Sequence, residues 1–435
     1  MNATKRREMR DETIALHAGY RKDKSTKAVA LPIYQTAAYE FDSSQQCEDI
    51  YSGKERGHIY TRLSNPTTRV LQKRVAKLEG GAHAQAVSSG SAAVNEAILT
   101  IAEQGNNIVS VPFLYGAAYS LFAHVLPKQG IEGRFATDGR PSSLEALIDD
   151  KTVAVYCESI GNPGGDMVDI EAIAKMAHKH GVPLIVDNTV ATPILIKPIQ
   201  YGADIVVHSL TKYMCGHGTS LGGIIVDSAN FPWEKYPERF PLFNAPEPTF
   251  SNLIFTKEFK QFAFIVSLNL IRLRNTGACI SPFNAFLILQ GIETLPLRME
   301  RHCKNAGIIA NYLNEHEAVS WVSYPGLPNS PYYELAQKYT NGKPSSLMSF
   351  GIKGGREACK KFYDALQIFR RILNIGDAKS LACHPASTTH AYLSEEELKK
   401  AGIRPEMIRL SVGIEHHEDL IADLDQALAA AKEST

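Results

Sequence analysis

Short apolar runs and helical repeats alternate along most of the chain. "NPTTRVLQKRVAKLEGG" places Val70, Val75 and Leu78 at helical spacing. The Asn65-Pro66 turn opens this predicted helix, Thr67 or Thr68 caps it, and Gly80-Gly81 stop it. "AQAVSSG", "NNIVSVP", "TVAVYCES", "PLIVDNT", "ADIVVHSLTK" and "GGIIVDS" read as short buried strands. "SAAVNEAILTIAE", "YGAAYSLFAHVLPKQG" and "DIEAIAKMAHKHG" read as the helices between them. Continuous apolar strands separated by helices predict an α/β fold with a mostly parallel sheet covered on both faces. That domain is expected over residues 66–275.

Beyond it, "SPFNAFLILQGIETLPLRMERHCKNAGIIANYLNEH" reads as one long helix. "VSWVSYP", "SLMSFGIKG" and "MIRLSVGIE" read as strands, with helices near "REACKKFYDALQIF" and at the end. This predicts a smaller C-terminal α/β domain over 276–435 with an antiparallel sheet. Residues 1–65 read as an irregular arm without a core of its own, expected to lie against another surface such as a neighbouring subunit.

Composition narrows the function. With 46 basic and 46 acidic residues the formal charge is zero, which gives no electrostatic reason for a nucleic-acid or anionic-membrane partner. Small-molecule substrates are expected instead. The seven cysteines are scattered without a C-x-x-C pair, so neither a disulfide framework nor a zinc site is expected. His208, His217, His384 and His390 form no ligand spacing, and no metal is expected. No apolar run reaches the length of about 18 residues that a membrane span needs. The start "MNATKRREMRDE" has no apolar core of a signal peptide. The cytoplasm is the expected location.

Candidate chemistry gathers at the ends of the predicted strands, where ligands of open α/β sheets bind. Lys212 ends "ADIVVHSLTK". A desolvated lysine there becomes a neutral nucleophile able to bond an aldehyde. Taken singly, it is an ordinary surface lysine. Asp187 ends "PLIVDNT". A carboxylate after an apolar run needs a partner, and a protonated ring nitrogen or a local turn would serve. In "SSGSAAVNEA", Gly90 permits close approach and Ser91 opens a helix whose free N–H groups attract phosphate. Ser209 and Thr211 add hydroxyls. No P-loop is present and no G-x-G-x-x-G follows the first strand. Lysine, carboxylate and phosphate cradle in one sheet match the aldehyde, ring nitrogen and phosphate of pyridoxal 5'-phosphate.

"DNTVATP", "HSLTKYMCGHG", "YTRLSNPTT", "ESIGNP", "ETLPLRMERH", "HPASTTH" and "RLSVGIE" together resemble the Cys/Met-metabolism family of pyridoxal-phosphate enzymes, over nearly the whole chain. The resemblance implies the fold type I (aspartate-aminotransferase-like) architecture, with the cofactor in the large domain. It implies that Lys212 binds the cofactor covalently, Asp187 holds its ring nitrogen and Tyr115 stacks on its ring. Gly90, Ser91, Ser209 and Thr211 would hold its phosphate, joined by Tyr60 and Arg62 from a neighbouring subunit. Arg409 would grip the substrate carboxylate, supported by Asn162. A shared site makes a homodimer the minimum and a tetramer the expectation.

Within the family, "ETIALHAGY", "GHIYTRLSNPTT", the insert around "EKYPERFPLFNAPEPTF" and "TGACISPFNAFLILQGIETLPLRMERH" resemble members that join sulfide or a thiol to O-acetylhomoserine. Where methionine γ-lyases carry a cysteine stands Ala117, and Asn374 stands where lyases more often have serine. Both favour γ-replacement, with γ-elimination and cystathionine synthesis as the alternatives.

Overall fold

A computed structural model describes residues 9–23, 25–388 and 402–432. Its main sheet has seven strands: β1 (His83–Val87), β2 (Asn107–Ser110), β3 (Glu132–Phe135), β4 (Thr152–Glu158), β5 (Leu184–Asp187), β6 (Ile205–Ser209) and β7 (Gly223–Asp227). The order is β1-β7-β6-β5-β4-β2-β3, and only β7 runs against the others. The expected, mostly parallel sheet is present. Its central strands β4, β5 and β6 are buried almost throughout, which is why they read as unbroken apolar runs rather than alternations.

Helix α1 (Asp11–His17), α2 (Ser44–Tyr51), α3 (Pro66–Glu79), α4 (Gly90–Leu99) and α5 (Gly116–Ser120) precede β4. The cap of α3 is Asn65, not Thr67 or Thr68. Its side chain accepts the N–H of Thr67 at 2.9 Å, and Gly80 ends the helix at φ 77°. The first residues are less irregular than the sequence suggests, since α1 and α2 both form there. α1 packs Ile14 and Ala15 into the main core of its own chain.

The second sheet holds β8 (Val319–Ser323), β9 (Leu347–Ile352), β10 (Arg370–Arg371), β11 (Leu381–Cys383) and β12 (Met407–Ser411), in the order β10-β11-β12-β9-β8. Only the β10–β11 pair is parallel. The single long helix expected before it is two, Pro282–Glu293 and Leu295–Glu315, broken at Thr294. The Leu295–Glu315 helix joins the two cores. Leu295 and Met299 belong to the first, while Ala306, Ile309 and Leu313 belong to the second, which Phe350, Phe362, Leu410 and Leu424 complete.

The docking of the two sheets positions the site. The loop after β4 is pinned to the second sheet, where Ser349 Oγ donates to the Pro163 carbonyl at 2.8 Å and Ser323 Oγ to that of Gly164 at 2.7 Å. Ser349 is the register partner of Arg409 on β12. The same contact that joins the sheets therefore brings Arg409 to the carboxyl ends of the main strands.

Candidate active site

The carboxyl ends of β4, β5 and β6, with the loop after β1, form the floor. β1 leads through Ser89 into α4, and Ser89 Oγ accepts the N–H of Ala92 at 3.1 Å. The first N–H groups of α4, including those of Gly90 and Ser91, have no intrahelical acceptor and point out of the helix end. Gly90 is required by proximity, since a Cβ there would stand 2.5 Å from that of Ser209. α4 and the end of β6 thus bring Gly90, Ser91 and Ser209 together. Thr211 faces Gly222, whose N–H donates to Thr211 Oγ1 at 3.1 Å.

Asp187 at the end of β5 accepts the N–H of Thr189 at 2.9 Å and the hydroxyl of Tyr156 at 3.4 Å. No ion pair among the described residues involves it. Burial pushes its pKa up, and donation from Thr189 and Tyr156 pulls it back. A partly buried carboxylate held only by neutral donors suits a cationic N–H from a ligand.

Lys212 Nζ donates to Asn374 Oδ1. Burial, and then the charge of Arg409, lower its pKa to about 8 from an ordinary value of 10.5. Arg409 is only 5% exposed. Its Nη1 donates to Asn162 Oδ1 at 3.1 Å and its Nη2 to the Asn374 carbonyl at 3.0 Å. Its Nε is buried without a partner among the described residues, so donor capacity remains for an incoming carboxylate. Tyr115, 48% exposed, immediately precedes α5.

Sequence reasoning missed two members. Glu158 ends β4 in register with Asp187 and is 4% exposed. Its Oε1 accepts the backbone N–H of Tyr115 at 2.5 Å, and the Asn162 N–H also bonds to it. Burial and the neighbouring Asp187 raise its pKa strongly. One carboxylate thereby fixes both Tyr115 and Asn162. A glutamate ending an apolar strand is the signal that could have found it. Asn374 stood out in the sequence only as a departure from the lyases, yet it bridges Lys212 and Arg409. Gly376, at φ 72°, makes that bridge fit, because a Cβ would come within 2.6 Å of the Tyr213 nitrogen.

Asn374→Ala should lower kcat about tenfold or more, since a hydrogen bond to a charged group contributes about 1.5–3 kcal/mol. KM for the amino-acid substrate should change little, because Arg409 is bound by the Asn374 carbonyl and not its side chain. Steady-state kinetics check this, and an unchanged kcat contradicts it.

Tyr60 and Arg62 are not drawn into this group. Tyr60 is 42% exposed, Arg62 lies over its ring at 5.3 Å, and Arg62 Nη1 donates to the Arg274 carbonyl. Among the described residues no cluster of His, Cys, Asp or Glu is arranged for a metal ion. His217 pairs with the Cys215 carbonyl and His384 with Ser387 and the Pro405 carbonyl. His390 lies outside the described residues. Gly218-Thr219-Ser220-Leu221-Gly222 has the spacing of a hydrolase nucleophile elbow. It leads into strand β7 rather than a helix, so the strand-to-helix turn of that motif is missing. No described helix is long and apolar enough to cross a membrane.

Known proteins share this fold over nearly the whole chain. The chain is 48% identical to an O-acetyl-L-homoserine sulfhydrylase of Thermus thermophilus, over 97% of this chain and 100% of the relative. It is 47% identical to a homocysteine synthase of Schizosaccharomyces pombe, over 97% of this chain and 98% of the relative. The fold superposes with a TM-score of 0.93 on a crystal structure described as an O-acetylhomoserine (thiol)-lyase of Campylobacter jejuni. That protein is 42% identical, with 97% of this chain and 100% of that chain covered, and carries a pyridoxyl phosphate on a lysine. Residues 12–429 match the profile of the Cys/Met metabolism PLP-dependent enzymes, and the chain belongs to that family.

Proposed function

We propose that this enzyme replaces the acetate of O-acetyl-L-homoserine by sulfide, giving L-homocysteine. The observation that carries the reading is the near full-length match, at 47–48% identity, to proteins named for that reaction in a bacterium and a yeast. The site is consistent with it, and pyridoxal 5'-phosphate is the cofactor of the family.

The residues present fit that cofactor. Lys212 would bind the aldehyde carbon. Asp187, partly buried and in no ion pair among the described residues, would bind the ring nitrogen, and Tyr115 would cover the ring. The α4 N-terminus at Gly90 and Ser91, with Ser209 and Thr211, would take the phosphate. When bound, the cofactor withdraws electrons from the substrate's α carbon and so makes its proton removable.

The chain's own groups supply the rest. Arg409 binds the substrate carboxylate through its free N–H groups, and Asn162 and the Asn374 carbonyl fix its orientation. Lys212, displaced by the substrate amine, is the base that moves the protons at Cα and Cβ. Its lowered pKa keeps a useful fraction neutral near pH 7. Loss of the Cβ proton lets acetate leave Cγ. Hydrosulfide then bonds to Cγ, and Lys212 returns the protons to Cβ and Cα. The balance is one ester and one sulfide consumed, one thiol and one acetate formed.

Tyr60 and Arg62 are proposed to complete the phosphate site of a second copy. The exposure of Tyr60, with Arg62 over its ring and bonded to the Arg274 carbonyl rather than to this group, supports this. The assembly is then a homodimer at least, extended by pairing of dimers to a tetramer. The functional units are proposed as the arm 1–65, the cofactor domain 66–275 and the C-terminal domain 276–435, in the cytoplasm.

Capture of added cofactor by the apoprotein should depend on the neutral Lys212 amine. Because the folded pKa is lowered, the rate should rise about tenfold per pH unit below about 8 and level off above it. Stopped-flow absorbance reads the limb, and a rise continuing towards 10.5 contradicts it. The reaction itself is tested by incubating the holoenzyme with O-acetyl-L-homoserine, with and without sulfide. Sulfide-dependent homocysteine is expected. A 2-oxo acid and ammonia formed at the same rate without sulfide would mean γ-elimination instead.

A further inference from the structure

Beneath the site, on the opposite face of the main sheet, runs a chain of buried polar groups that the reaction does not use. Asp187 is the register partner of Val207. Side chains alternate along a strand, so His208 projects to the other face, as do Asn188 after Asp187 and Ser159 after Glu158. There Ser159 Oγ donates to Asn188 Oδ1 at 2.8 Å, and Asn188 Nδ2 donates to Glu79 Oε1 at 2.9 Å. His208 Nε2 meets the same Glu79 oxygen at 2.6 Å. Glu79 is the last residue of α3. Its side chain is 0% exposed and that of His208 is 1% exposed.

Such a pair is costly. Glu79 Oε2 and His208 Nδ1 have no partner among the described residues, and aliphatic side chains of the same volume would be cheaper to bury. Stability alone does not account for it. Its neighbours suggest what does. Asn188 follows the carboxylate assigned to the ring nitrogen, and His208 precedes Ser209 at the phosphate. A single glutamate therefore ties together the two strand ends that carry opposite handles of the cofactor. Glu79 Oε1 already accepts the Asn188 amide, so it meets His208 as an acceptor and Nε2 carries the hydrogen. Across the sheet, His208 is among the groups that pull the Asp187 pKa down against burial.

We propose that Glu79 and His208 are positioning residues for the cofactor, holding Asp187 in place as the partner of the ring nitrogen. This rests on the cofactor placement proposed above.

The test is a double-mutant cycle read in the dissociation constant of pyridoxal 5'-phosphate, measured by equilibrium dialysis on full-length protein. The variants are His208→Gln, which replaces the rigid ring that reaches Glu79 by a flexible amide, Asp187→Asn, and both together. His208→Gln is expected to weaken binding about tenfold in the wild-type background and less than about twofold beside Asp187→Asn. An equal loss in both backgrounds means a merely structural role and overturns the proposal, as does wild-type affinity in His208→Gln. If Asp187→Asn alone leaves affinity unchanged, the cofactor placement itself is wrong. Should His208→Gln not fold, Glu79→Gln takes its place in the same cycle with the same expectations.

Discussion

Replacing Lys212 by alanine should leave a folded protein that turns over O-acetyl-L-homoserine at least about 10³-fold more slowly. The fold should survive because Lys212 is a half-buried cation at a strand end. Truncation removes a desolvated charge and leaves the apolar core untouched. Catalysis should fail because the same amine binds the cofactor and carries protons between Cα and Cβ. Arginine is no substitute, since its guanidinium keeps its proton at every working pH. Circular dichroism and product assays on Lys212→Ala check both halves. A folded variant with near wild-type turnover would remove the proposed base.

Arg409→Leu should lower kcat/KM about 10²-fold or more, mostly through KM. Two charge-assisted hydrogen bonds to a carboxylate are lost, at about 1.5–3 kcal/mol each. Arg409→Lys should recover only part, because an ammonium has no planar fork. The leucine variant should have a second effect. Arg409 lowers the pKa of Lys212 by its charge, so without it that pKa moves up from about 8. The pH limb for cofactor capture should then shift to higher pH. Kinetics across pH on the two variants separate the effects. An unchanged KM in Arg409→Leu would mean that the carboxylate is held elsewhere.

Much of this was legible in the sequence. The central strands show because burial on both faces makes them unbroken apolar runs. Asp187 and Lys212 show because each puts a charge where such a run ends. What escaped depends on tertiary contact or on short elements. Only the family resemblance paired Asn162 with Arg409, because they are far apart in sequence and meet where Ser349 and Ser323 dock the sheets. Asn374 reaches Lys212 through a loop turned at Gly376, which no periodicity marks. α2 buries no side chain and therefore has no apolar stripe to read. β3 is polar and β10 is two residues long. The break at Thr294 is hidden because apolar residues continue on both sides of it. Asn65 was read as part of a turn, yet its amide caps α3 from just outside the helix, as asparagine commonly does. The helix expected from Gly116 onwards changes to a wider π turn over Leu121–Val125 and a tighter 3₁₀ turn after it, a difference that the hydrophobic pattern does not encode.

The account stands on Lys212 as the residue that binds the cofactor. The most direct measurement is borohydride reduction of the holoenzyme, followed by digestion and mass spectrometry of its peptides. The pyridoxyl phosphate mass is expected on the peptide containing Lys212 and on no other. The same mass on a different lysine, with the Lys212 peptide unmodified, would contradict the account.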